Sequence, residues 1–283
     1  MKVSDRFKFV DDLTVLEIID LLTVGITSYN IRAHVPSDIP THNQFIQADN
    51  LKSQYYLDEI NNWTNNQKMM INEKKTKNMI FNFTDKYQFA TRLEVNGEKV
   101  ETISNTKLLG TIISDDLSWD LNTKSIVQKA NARMELLRRV ASFGASVEDL
   151  KTIYILFVRS HLEQSATVWH SSLTIENSTD LERVQKSAVK IILGNLYNGY
   201  ENSLLKLKME KLVDRRKQLC LNFAMKCVKN PKMKHMFPKS EKIHNMKTRT
   251  NEQYKVEHAH TERLRKSSII YMQHLLNESE IEV

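Results

Sequence analysis

Six glycines and four prolines in 283 residues leave this chain few places to break a helix, and that scarcity limits its fold more than any motif does. After Trp119 the residues Val127, Ala130, Met134, Leu137 and Ala141 step by threes and fours. This lays one apolar stripe along a long helix and leaves Lys129, Arg133, Arg138 and Arg139 on its other faces. Ser146 with Asp149 opens a second helix through Leu150, Ile153, Tyr154, Phe157 and Leu162. Thr179 with Glu182 has capping-box spacing and predicts the start of a third. A fourth is expected from Leu204 to Val228. Beyond Pro231 the composition turns polar, which predicts an irregular linker to about His260 and a short helix from Thr261 to Leu276. Trp119 and Trp169 lie within apolar stripes and read as core residues that hold helices together.

Before Trp119 the pattern is mixed. Residues 5–12 read as a strand, followed by a short helix and a polar loop from Ser28 to Asn43 that carries Pro36 and Pro40. A helix is expected from Phe45 to Asn66 and a strand over Met79-Ile80-Phe81-Asn82-Phe83. Arg92–Val95 and Lys99–Thr102 flank Asn96-Gly97, the dipeptide that best tolerates positive φ, so a hairpin is expected there. The fold class is α+β and mostly helical, divided as residues 1–118, 119–230 and 231–283.

Hydrophobic residues make up 41% of the chain, enough for a folded core. The net charge of +7 is unevenly placed. Residues 1–183 hold 21 Lys+Arg against 24 Asp+Glu, a balance of −3, and residues 184–283 hold 20 against 10, a balance of +10. Such asymmetry favours an anionic polymer through counterion release. The longest apolar stretch, Leu13 to Gly25, is interrupted by Glu17 and Asp20 and falls short of the about 20 apolar residues a membrane span needs. No membrane partner is expected. Only Cys220 and Cys227 occur, which fits a reduced intracellular compartment, cytoplasmic or nuclear. Seven residues separate them, so with His235 and His244 they match no compact zinc module, and zinc is not expected.

The strand Arg6-Phe7-Lys8-Phe9-Val10 ends in Asp11-Asp12. Two adjacent carboxylates repel and are commonly held together by a divalent cation, which could clamp the oxygens of a phosphoryl displacement. On the residues alone, Asp12 is equally suited to cap the helix that follows.

Phe9-Val10-Asp11-Asp12 resembles the F/Y-x-D-D box of reverse transcriptases of non-long-terminal-repeat, jockey-like retrotransposons, and four later segments follow in the same order. Trp63 and Ile71-Asn72-Glu73-Lys74-Lys75-Thr76-Lys77-Asn78-Met79-Ile80-Phe81 are similar to the family's N-x-x-K-T and hydrophobic strand. Thr106-Lys107-Leu108-Leu109-Gly110-Thr111-Ile112-Ile113 resembles its primer grip. Tyr154 to Trp169 and Leu181-Glu182-Arg183-Val184-Gln185-Lys186 resemble the helical region after the thumb. The resemblance covers about Lys8 to Met225 and departs at Gln164-Ser165, where relatives carry a tyrosine.

The resemblance implies a partial palm sheet over 1–118, a helical thumb and connection over 119–230, and a basic tail. It implies an RNA-directed DNA polymerase that uses Mg²⁺ or Mn²⁺, with Asp11 and Asp12 as metal ligands and Lys75 beside the leaving group. Lys107, Leu108, Leu109 and Gly110 would grip the primer. Arg133, Arg138, Arg139, Arg159, Lys186, Lys190, Arg215, Arg216 and Lys217 would contact the phosphates of an RNA template, RNA–DNA hybrid or DNA primer. Only ten residues precede Asp11, so the fingers and an upstream metal-binding aspartate are expected to be missing and the chain to be inactive alone. The alternatives are a non-catalytic helical nucleic-acid-binding module and a decayed transposon copy.

Overall fold

The computed structural model describes residues 44–47, 52–83, 87–90, 92–240 and 253–279. The chain divides after Leu117 into two compact units, Met1–Leu117 and Ser118–Val283. Helices dominate and the strands are short, so the class is α+β and mostly helical.

In chain order the first unit holds β1 (Gln44–Gln47), α1 (Lys52–Asn66), β2 (Lys77–Asn78), β3 (Tyr87–Ala90), β4 (Glu94–Val95), β5 (Glu98–Lys99), β6 (Glu101–Thr102), β7 (Asn105–Leu108) and β8 (Thr111–Ser114). They pair as β1–β3 and β2–β6, both parallel, and β4–β5 and β7–β8, both antiparallel. Among the described residues these are four separate two-stranded ladders and not one sheet. The helix expected from Phe45 begins at Lys52 instead, because Phe45 and Ile46, an aromatic and a β-branched residue, sit in β1. The strand expected over Met79–Phe83 is absent: pairing stops at Asn78, whose carbonyl accepts the Ile103 N–H at 2.9 Å. The Asn96-Gly97 hairpin is present, with φ of 51° and 83° in the type I′ pattern. Gln54 ties α1 to it, donating to the Glu94 carbonyl at 3.0 Å and accepting the Glu94 N–H at 3.0 Å.

The second unit holds α2 (Asp120–Ser142), α3 (Val147–Ile153), a π-helical stretch (Tyr154–Arg159), α4 (Ser160–Glu163), α5 (Ala166–Trp169), α6 (Ile175–Leu193), α7 (Tyr200–Leu207), α8 (Leu212–Lys229), α9 (Glu262–Arg265) and α10 (Ser268–Ser279). The α2 stripe buries Ile126, Ala130, Met134 and Leu137 against a core shared with Tyr154, Val158, Leu162, Trp169, Leu181 and Ala188. Each fully buried leucine there contributes roughly 2 kcal/mol. Trp119 and Trp169 both belong to this core.

Local signals set several boundaries. Ser146 caps α3, accepting the Asp149 N–H at 3.2 Å. The third helix starts earlier than Thr179: Thr174 caps it through the Asn177 N–H at 3.1 Å, and Thr179 lies inside, donating to the Ile175 carbonyl at 2.7 Å. The single helix expected from Leu204 to Val228 is two. Lys208 adopts the left-handed conformation (φ 51°), and the Met209 N–H returns to the Leu204 carbonyl at 2.9 Å, which ends α7.

After Pro231 the chain folds back. Phe237, Tyr254, Met272, Leu275 and Leu276 pack on Cys220, Ala224 and Cys227 to form a second core. Tyr254 bridges antiparallel to Lys239, and Asn277 brackets its backbone, accepting the N–H at 2.9 Å and donating to the carbonyl at 3.0 Å. Cys220 and Cys227 are both buried free thiols, and burial pushes Cys220 up to about 11.

Candidate nucleic-acid interface

Asp11 and Asp12 lie outside the described residues. Lys75 is exposed on a turn closed by Asn72, which accepts the Lys75 N–H at 3.1 Å through its carbonyl and again through its side chain. Lys107 and Leu108 end β7, and Leu109-Gly110 form the two-residue turn into β8. Leu109 has φ 47° and Gly110 φ 88°, so both central positions are left-handed. Glycine meets that demand freely, whereas leucine meets it at a cost of about 1–2 kcal/mol. Leu109 is also 78% exposed. The result is a tight hairpin tip with the exposed Lys107 near an exposed apolar side chain.

Eight of the nine cations expected to contact phosphates occupy three different environments, and the ninth, Arg216, a fourth. Arg138 and Arg139 share Glu135, both at 3.4 Å, and Lys217 meets Glu278 at 3.2 Å. Arg159 and Arg215 share Glu163 at 3.3 and 3.2 Å. Lys186 lies 5.2 Å from the centre of the Tyr200 ring and Lys190 5.6 Å from that of Tyr197. Arg133 is exposed and, among the described residues, has no carboxylate within ion-pair distance. Its charge and that of Lys129 add to burial in lowering the His161 pKa.

Arg216 is not a surface contact. It is fully buried, its guanidinium 5.8 Å from the Trp169 ring centre. Its Nε donates to His170 Nδ1 and its Nη2 to Ser178 Oγ, both at 3.3 Å. The bond to Nδ1 leaves the imidazole proton on Nε2, which faces the Tyr271 hydroxyl at 3.5 Å. Burial, helped by Arg216, pushes His170 down to about 4.

Leu181-Glu182-Arg183-Val184-Gln185-Lys186 supplies a second buried polar group. Tyr154 donates its hydroxyl to Gln185 Oε1 at 2.6 Å, and Gln185 Nε2 donates to Tyr200 and to the Glu210 carbonyl, both at 2.9 Å. Tyr200 in turn donates to Glu182. Burial raises the pKa of both tyrosines, so they act as neutral donors. The segment therefore joins the π-helical stretch, α6 and the entry to α8, and of its six residues Arg183, paired with Asp180, and Lys186 are the exposed cations.

No protein-family model, curated protein or solved structure matches this chain. Among the described residues no group of three or more His, Cys, Asp and Glu side chains is arranged to hold a metal ion, and no helix is long and apolar enough to cross a membrane.

Sequence reasoning did not assign a role to the lysines at the end of α8 and in the turn after it, Lys226, Lys229, Lys232, Lys234 and Lys239. The signal was present: residues 215–240 carry eight Lys+Arg and no Asp or Glu.

Proposed function

We propose that this chain is part of an RNA-directed DNA polymerase of the non-long-terminal-repeat retrotransposon type, running from the catalytic hairpin of the palm through the thumb. The observation that carries this reading is the order of five motifs along one chain, from Phe9-Val10-Asp11-Asp12 to Leu181-Glu182-Arg183-Val184-Gln185-Lys186. The Lys107–Gly110 hairpin tip supports it. A turn that projects a lysine and an apolar side chain suits the approach of a nucleic-acid strand, with Lys107 near its phosphates.

Asp11 and Asp12 supply hard oxygen donors of the kind Mg²⁺ takes. When bound, the ion would stabilise charge on the attacking and leaving oxygens. Two adjacent carboxylates leave an octahedral cation short of protein ligands, so residues 1–283 alone are expected to hold template–primer without extending it. Arg133, Arg138, Arg139, Lys186 and Lys190, all exposed, are the cations that would meet its phosphates.

The test is primer extension on a poly-rA/oligo-dT template with Mg²⁺, comparing the chain with an Asp11→Asn, Asp12→Asn variant, and binding measured at two salt concentrations. Salt-sensitive binding without extension is expected. Extension lost in the variant would overturn the expected inactivity and strengthen the polymerase reading. Absence of any template binding would overturn the reading itself.

A further inference from the structure

The last turn of α8 opens beside a recess of about 300 Å³ lined by Met225, Val228, Lys229, Tyr254, Leu276 and Ser279. Its walls are mainly apolar, and Lys229 and Ser279 supply its polar groups. Five lysines surround this end of the helix in sequence: Lys226, Lys229, Lys232, Lys234 and Lys239, with no acidic residue between them. All five are exposed, and among the described residues none has a carboxylate within ion-pair distance. Lys226 precedes Lys229 by one helical turn. Lys239 is the antiparallel bridge partner of Tyr254, and facing residues in such a bridge project to the same side. Lys239 therefore leaves the backbone on the side where Tyr254 lines the recess.

Lys232 and Lys234 carry the charge past the recess, through the turn that follows α8. A lone anionic headgroup would use one or two lysines, whereas a chain of phosphates uses a row. The recess volume stands at the lower end of small-molecule sites, the scale of a nucleoside and not of a long acyl chain. Apolar and aromatic walls next to a lysine-lined track are the two parts of a single-strand binding groove. We propose that this recess seats one base of a single-stranded nucleic acid, with the flanking phosphates on Lys229 and Lys239. The proposal goes beyond the polymerase reading, because it involves none of the residues that carry that reading.

The experiment is fluorescence anisotropy of the full chain with a labelled single strand of about twelve nucleotides, and with the same strand made abasic, at about 50 and about 200 mM salt. The intact strand should bind roughly tenfold more tightly than the abasic one. The Met225→Trp variant, altered on an exposed helix position to fill the recess, should abolish that difference. Lys229→Ala with Lys239→Ala should weaken both strands about tenfold and shallow the salt slope by about 1.4, the value for two lost phosphate contacts on a single strand. Circular dichroism would verify that each variant is folded. An Arg133→Ala variant should weaken both strands alike and keep the base preference, which separates this recess from the thumb cations. Equal binding of the intact and abasic strands would overturn the base seat, and an unchanged salt slope in the double variant would overturn the phosphate contacts. Displacement of the strand by decanoate would also overturn the proposal, since the recess would then take an acyl chain.

Discussion

The Glu182 carboxylate accepts the backbone N–H of Leu212 on both its oxygens, at 3.3 and 3.1 Å, across thirty positions of sequence. Leu212 is the first residue of α8, whose leading N–H groups have no partner within the helix and carry partial positive charge. A carboxylate supplied by α6 therefore does the work of an N-cap, which Lys211 at that position does not. Glu182→Gln keeps the size and removes the charge. It should lower the unfolding free energy by ~1–2 kcal/mol, read by urea denaturation, and leave the helix content of the folded chain unchanged.

How far the sequence discloses this fold depends on whether a signal is local. The α2 stripe was legible because Ala130, Met134 and Leu137 repeat without interruption, and the first hairpin because Asn96-Gly97 by itself satisfies two positive φ angles. Lys208 ends α7 in the left-handed conformation without the glycine that would announce it, so two helices read as one. Glu182 has capping-box spacing from Thr179 but serves Tyr200 and Leu212 instead, partners that only tertiary contact brings near. Arg216 reads as a phosphate ligand in any charge count. Its partners, the adjacent Trp169 and His170 and, in α6, Ser178, all lie more than thirty positions away in sequence.

The His170 imidazole should make the helical unit acid-sensitive. Its pKa stands near 4 in the folded chain, held there by burial and by the Arg216 guanidinium, against 6.5 when unfolded. The unfolded chain therefore binds more protons between these values, and stability falls as pH drops through that window. Above pH 6.5 the full contribution is present. Solvent at the half-buried ring screens part of it, so the loss between pH 7.5 and pH 5 should be ~1–2 kcal/mol. Urea denaturation at the two pH values checks this, and His170→Gln, which does not titrate there, should reduce the difference.

Arg216 and Arg133 should separate stability from binding. Arg216→Lys keeps a charge but loses the planar face on Trp169 and the directed donors to His170 and Ser178. It should cost ~2–3 kcal/mol of stability, yet the fraction that remains folded should bind nucleic acid as before. Arg133→Ala, at an exposed position, should change stability by no more than ~0.5 kcal/mol and weaken binding in a salt-dependent way. Thermal melts and anisotropy on both variants test the assignment. Loss of binding in folded Arg216→Lys would contradict the buried placement.

Leu109 occupies the first position of a turn that asparagine fills best. Its φ of 47° strains a residue with a bulky side chain, and its 78% exposure means that little packing compensates. Leu109→Asn should therefore stabilise the unit ending at Leu117 by about 1 kcal/mol, visible as a rise in melting temperature. Proteins keep such strain where the side chain serves a partner. If the hairpin tip meets a nucleic-acid strand, the same variant should bind template–primer more weakly while melting at a higher temperature. A rise in stability with unchanged binding would remove Leu109 from the interface and leave Lys107 as the contact at this tip.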